Sequence, residues 1–242
     1  MIFDAPYLPY APDALEQHGI SAASLCFHLD YQRGCHQQLL MAQRRKLLQS
    51  SAEVPSPDAE DAPERVGAEE RGPIPAPPTE RHRAELAPLG MSVESFQALE
   101  ELLRARARGA ILLYAAQVWA HQLFWASMSP AGGQPSEALR AAIEARFTSL
   151  EGLHQACLSA AEGQLGAAWL YLCAREDGEL RLLSCVNHET PLARGSLRPL
   201  LCCDLWQHAY QLEEPATRSA QVERWWSALN WERASASYEA LL

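Results

Sequence analysis

The sequence is short of positive charge: 20 Lys and Arg stand against 30 Asp and Glu, a formal net charge of −10 over 242 residues. Such a balance repels phosphate backbones and anionic lipid surfaces, which argues against a general nucleic-acid or membrane-surface binder. It leaves room for a small anion drawn to a local positive spot. No apolar run approaches the roughly 20 residues needed to span a bilayer. Met1–Tyr10 lacks a basic stretch and holds two prolines, so no signal peptide is expected. The seven cysteines (Cys26, Cys35, Cys157, Cys173, Cys185, Cys202, Cys203) form no CxxC pair. An odd, scattered set suits free thiols in a reducing cytoplasm, most of them as small buried hydrophobes. No internal repeat is visible.

What is present favours helix and a real core. Hydrophobic residues make up 48% of the chain, and Ala, Leu, Glu, Gln and Arg dominate. Residues 50–90 stand apart, holding eight of the sixteen prolines, many acidic residues and few large apolar ones. They read as a disordered acidic, Pro-rich insertion, either a plain spacer or a docking site for a protein partner.

Before the insertion, apolar spacing predicts helix over 12–48. After it, Ser92 caps a helix carrying Phe96, Leu99, Leu102 and Leu103, which Gly109 breaks. A strongly apolar helix follows over 110–127. Ser136 opens a helix through Phe147, and another runs to about Gly163. Ala168–Cys173 reads as a strand, Asp177-Gly178 as a hairpin turn, Leu180–Val186 as the return strand and Leu200–Cys203 as a third. Two closing helices are expected, one from near Leu205 and one after Trp231. The class is α+β: a helical first half, then an α+β part with a small three-stranded antiparallel sheet.

Three places carry candidate chemistry. In Asp204-Leu-Trp-Gln-His208 a carboxylate and an imidazole can converge if a helix begins between them. A hard oxygen with a neutral imidazole suits iron, manganese or zinc, although such a spacing also arises as an ordinary surface pair. Gln117 and His121 lie one turn apart on a very apolar helix, where buried polar groups need partners. A metal with its bound water would satisfy both, and so would an ordinary core hydrogen bond. His28 stands alone on the first helix, as a ligand or as a structural histidine.

Taken together, these places resemble the iron/manganese superoxide dismutases. Tyr7-Leu-Pro-Tyr-Ala-Pro-Asp-Ala-Leu-Glu is similar to the opening of that family. Ala115-Ala-Gln-Val-Trp-Ala-His121-Gln-Leu-Phe-Trp125 resembles its second ligand helix, and Gly166-Ala-Ala-Trp169-Leu-Tyr-Leu its Trp-bearing strand. Pro199-Leu-Leu-Cys-Cys-Asp204-Leu-Trp-Gln-His208-Ala-Tyr resembles its Asp-x-Trp-x-His-Ala-Tyr signature, and Trp226-Ser-Ala-Leu-Asn-Trp231 its closing helix. The likeness runs in order along nearly the whole chain outside 50–90.

The resemblance implies a helical hairpin (1–49 and 91–130, split by the 50–90 insertion) followed by an α+β domain (131–242). It implies one iron or manganese ion per subunit, held by His28, His121, Asp204, His208 and a solvent molecule, and dismutation of superoxide to oxygen and hydrogen peroxide. Gln117 matches the residue that bonds this solvent in iron-type members. Trp125 and Trp169 match walls of the pocket, and Arg218 matches an arginine that guides the anion.

Five departures stand out. The family's gateway tyrosine falls on His36, its second gateway histidine on Gln32, its bridging glutamate on Gln207 and a further tyrosine on Gln211. The last three imply an altered homodimer interface. His188 occupies the place where manganese-type members put a solvent-bonding glutamine, which leaves iron or manganese open. The alternatives are a metal-binding interaction or sensor protein of the same fold, or an oxygenase at the same site, which the tryptophan walls disfavour.

Overall fold

The computed structural model describes residues 3–52, 91–105, 108–194 and 197–242. The Pro-rich stretch expected at 50–90 lies, beyond Ala52, outside the described residues.

The chain opens with a single 3-10 turn, Glu16–His18, closed by Gly19 at φ +75°. The left-handed region asks for glycine there, and the Arg224 side chain packs against the same spot. The helix expected over 12–48 therefore starts only at Ala22 and runs to Ala52 as α1. Ser21 caps it through Oγ to the Ser24 amide (3.2 Å). The Ser21 amide and hydroxyl both donate to Glu213 Oε1 at 2.8 and 2.9 Å. A carboxylate at this N-terminus also suits the helix dipole.

Helix α2 spans Val93–Arg104 with Ser92 as its cap, as expected. Helix α3 spans Gly109–Ala126, and Gly109 begins it. Residues 115–126 are buried without interruption, the mark of a helix surrounded on every side. Helices α4 (Glu137–Phe147) and α5 (Leu150–Glu162) follow, capped by Ser136 and Ser149.

Strands β1 (Ala168–Arg175), β2 (Leu180–Val186) and β3 (Leu197–Asp204) make an antiparallel sheet in the order β2-β1-β3. Central β1 is buried along all but its last residue, so it reads as a continuous apolar run rather than an alternation. Trp169 pairs with Asp204 and Tyr171 with Cys202 across β1 and β3. Paired residues share a face, and this face meets α3: the Cys202 amide donates to Ser127 Oγ, which in turn donates to the Leu123 carbonyl.

The helix expected near Leu205 is instead a 3-10 turn, Gln207–Ala209. Two bonds forbid an α-helix at that point. The Leu205 amide still belongs to the sheet, donating to Ala168 O, and Asp204 Oδ1 takes the Trp206 amide at 2.8 Å. Helices α6 (Arg218–Ser227) and α7 (Trp231–Glu239) end the fold. The Trp226–Trp231 stretch, expected inside one closing helix, is the joint between them, where Asn230 caps α7.

One apolar core joins α1, α2, α3, the sheet and α6–α7, with Trp119, Trp125, Trp169 and Trp225 fully enclosed. Each tryptophan buries 150–250 Å², worth roughly 4–6 kcal/mol by area. Among the described residues no helix is long and apolar enough to cross a membrane.

Candidate metal centre

Helix α1 packs against α3, and α3 packs on β3. Each of these three elements delivers a donor to one point. His28 comes from α1, His121 from α3, Asp204 from the end of β3 and His208 from the 3-10 turn after it. One donor atom of each lies within 4.8 Å of all the others. His28 Nε2, His208 Nε2 and His121 Nε2 stand 2.9, 3.1 and 3.7 Å from Asp204 Oδ2. His121 Nε2 and His208 Nε2 are 3.3 Å apart.

The donors are held in place from behind. His121 Nδ1–H donates to the Gln117 carbonyl at 2.6 Å, which fixes the tautomer and turns the Nε2 lone pair inward. Asp204 is oriented by the Trp206 amide on Oδ1, which leaves Oδ2 to the histidines. Burial pushes the pKa of His28 and His121 down, His121 well below its usual value. Burial alone would raise the Asp204 carboxyl. The charge and hydrogen bond of His208, then those of His28, outweigh it and hold Asp204 below the usual carboxylate range. The result is a buried carboxylate held ionised by the imidazoles around it.

This set fits a metal ion. Ligands about 2.1 Å from a shared ion stand roughly 3–4 Å apart, and four of the six donor pairs here lie 2.9–3.7 Å apart. A buried carboxylate without a cation is costly. Gln117 supplies a further sign. Its amide N–H donates to Asn187 O at 3.3 Å, and its buried Oε1 has no partner among the described residues. Gln117 lies one turn from His121, so a polar group on the ion would complete it.

The walls are aromatic. Trp125 stands edge-on to His28 (4.6 Å between ring centroids), and Trp169 stands edge-on to His121 (4.9 Å). Tyr31 stacks on His208 at 3.9 Å and 20°. Burial pushes the Tyr31 hydroxyl up to about 12, so it stays a neutral phenol.

Other expected residues lie elsewhere. His36 is buried and its Nε2–H donates to Phe3 O at 3.0 Å. His188 is exposed beyond β2, and it is its neighbour Asn187 that meets Gln117. Arg218 donates to the carbonyls of Leu205, Gln164 and Gly166. It therefore ties the end of β3 to the approach to β1 and is no open guanidinium for an anion.

Gln32, expected at a subunit interface, is 0% exposed. Its Oε1 accepts the Trp125 indole N–H at 2.8 Å and its Nε2 donates to Val118 O at 3.4 Å. It braces the wall of the site from inside one chain, whereas Gln207 and Gln211 are exposed. Gln32→Leu should leave the indole N–H unpaired, costing about 1–3 kcal/mol. Thermal unfolding should fall by roughly 2–12 °C for a chain this long. A fall that varies with protein concentration would put Gln32 between subunits instead.

Two residues escaped the sequence reading. Tyr31 covers His208, and Glu213 locks the start of α1 to the loop after His208. Tyr31 had one available signal, its position nearly one turn after His28.

Comparison with known proteins points the same way as the geometry. Residues 135–237 match the family model described as iron/manganese superoxide dismutases, C-terminal domain. An iron superoxide dismutase of Legionella pneumophila is 32% identical over 238 residues, 98% of this chain and 99% of the relative. One of Coxiella burnetii is 30% identical over 233 residues, 96% of each. One of Bordetella pertussis is 37% identical over 141 residues, 58% of this chain and 72% of the relative.

Proposed function

The chain belongs to the iron/manganese superoxide dismutase family, and on that premise we propose that it dismutes superoxide at one ion held by His28, His121, Asp204 and His208. The observation that carries this is the convergence of three imidazole Nε2 atoms on Asp204 Oδ2 inside a buried, aromatic-walled pocket.

The bound ion supplies a one-electron couple, oxidising one superoxide to oxygen and, with two protons, reducing a second to hydrogen peroxide. The protein's own residues do the rest. His121 keeps its lone pair inward because Nδ1–H is tied to Gln117 O. Asp204 contributes one negative charge, which stabilises a cation without neutralising it, so a small anion is still attracted. Trp125, Trp169 and Phe124 exclude bulk water and larger substrates. Gln117, with its N–H held by Asn187, presents its carbonyl oxygen as a hydrogen-bond acceptor beside the site.

Iron is the metal we propose, supported by Gln117 on the ligand helix and by relatives named as iron enzymes. The exposed Gln207 and Gln211 flank His208 in sequence and would face a second copy through neutral amides, a weaker bridge than a carboxylate gives. Elemental analysis and a superoxide assay on one purified sample test the reading. About one iron per chain, with activity abolished in His121→Ala, is expected. A fully loaded but inactive protein would favour the metal-binding interaction or sensor alternative.

A further inference from the structure

The four donors are not equally hidden. His121 and Asp204 are 0% exposed and His28 is 2%, whereas His208 is 8%. Behind His28 stand Phe124 and Trp125, and His121 abuts Trp169, all three fully buried. His208 has Trp206 at 5.8 Å and, lying flat against it, Tyr31. The Tyr31 ring also reaches within 5.8 Å of the His121 ring. Tyr31 is itself 36% exposed. One side of its ring therefore faces the donors and the rest faces solvent, so the thinnest wall of the centre is a single phenol ring.

Tyr31 sits on α1 one turn before Cys35, which is buried. The residues that the sequence offered for the entrance point elsewhere: His36 to Phe3 O, and Gln32 to the Trp125 indole and Val118 O.

We infer that Tyr31 is the gate of this centre, a positioning and specificity-determining residue whose ring holds the plane of His208 and admits only small anions past its edge. The inference rests on the metal-site reading above. The ring, and not the hydroxyl, does the work: a flat face at 3.9 Å keeps His208 Nε2 aimed at Asp204 Oδ2 and blocks anything bulkier than a diatomic or triatomic anion.

The test compares metal-loaded wild type with Tyr31→Phe, Tyr31→Ala and Phe27→Ala. Phe27 is an exposed aromatic one turn earlier on α1 and serves as the control. Two readouts besides activity are followed: the rate at which EDTA strips the ion, and azide binding by optical titration. Tyr31→Ala should lose its ion about tenfold faster or more, the usual scale for removing a residue that orients a ligand. It should also bind azide more readily. Tyr31→Phe should match wild type in both, as should Phe27→Ala. Should Tyr31→Ala not fold, Tyr31→Leu fills the space without a flat face and should show the same two changes.

Stripping and azide binding in Tyr31→Ala, or in Tyr31→Leu, that match Phe27→Ala overturn the gate. So does Tyr31→Phe behaving like Tyr31→Ala, which would move the role to the hydroxyl. A wild type that takes up no ion defeats the metal-site reading instead, and the two failures are thus distinguishable.

Discussion

Asp204→Asn should abolish both metal retention and superoxide removal while leaving the fold intact. The substitution is isosteric, and an amide oxygen can still accept the Trp206 amide that fixes the group. What disappears is the one negative charge among four donors, the other three being imidazoles. A cation at that point then loses its only anionic ligand in a buried environment, where such an interaction is least screened. Superoxide removal should fall at least about 100-fold, since outer residues alone account for 10–100-fold in metal sites. Thermal unfolding gives a second reading. Metal at about 1,000 times its dissociation constant adds about 4 kcal/mol to the wild type, or roughly 8–16 °C for a chain of this size. Asp204→Asn should show almost none of that shift. The metal-free variant should also lose the stability that the ionised carboxylate draws from His208 and His28 in metal-free wild type. A variant that keeps its ion through dialysis would remove Asp204 from the centre.

The sequence was most legible where chemistry and periodicity coincide. Twelve consecutive buried residues in α3 are an apolar run that any reading assigns to a core helix, and Gln117 and His121 fall on it at helical spacing. The hairpin was legible because Asp177-Gly178 separates two apolar runs, and the strands pair there as expected. Residues that matter through distant partners were less legible. Arg218 satisfies carbonyls 13, 52 and 54 residues away, and no local pattern distinguishes that use from guiding an anion. Gln32 was read by its place in a family pattern, but the indole of Trp125, 93 residues on, decides its role. The turn at 207–209 was misread as a longer helix because the competing bonds come from Ala168 and from the Asp204 side chain. Tyr31 was missed because a tyrosine at the edge of burial carries no signal until its stacking partner is known.

Acid should empty and then unfold the centre, and the sign follows from burial. His28 and His121 have folded-state pKa values below the ordinary 6.5 because desolvation disfavours their charged forms. Below pH 6.5 the unfolded chain therefore binds protons that the folded chain refuses, and stability falls as pH falls. Each such group contributes about 1.4 kcal/mol per pH unit once the unfolded form is protonated. The metal-free protein should lose roughly 3–6 °C of unfolding temperature per pH unit below 6.5 for each of these imidazoles that stays uncharged. Asp204 acts in the same direction further down. Its folded pKa lies below 3.8, so the stability it adds is full above that value and is lost as pH drops through the folded one. Loaded protein should hold its ion at neutral pH and release it over a narrower acid range, because protons compete for every imidazole donor at once. Calorimetry of both forms across pH 4–8, with metal content measured after each dialysis, reads the two effects separately. An unfolding temperature that stays flat from pH 6.5 to 4.5 in the metal-free form would mean that these imidazoles are already charged in the fold. They could not then serve as ligands without first losing protons.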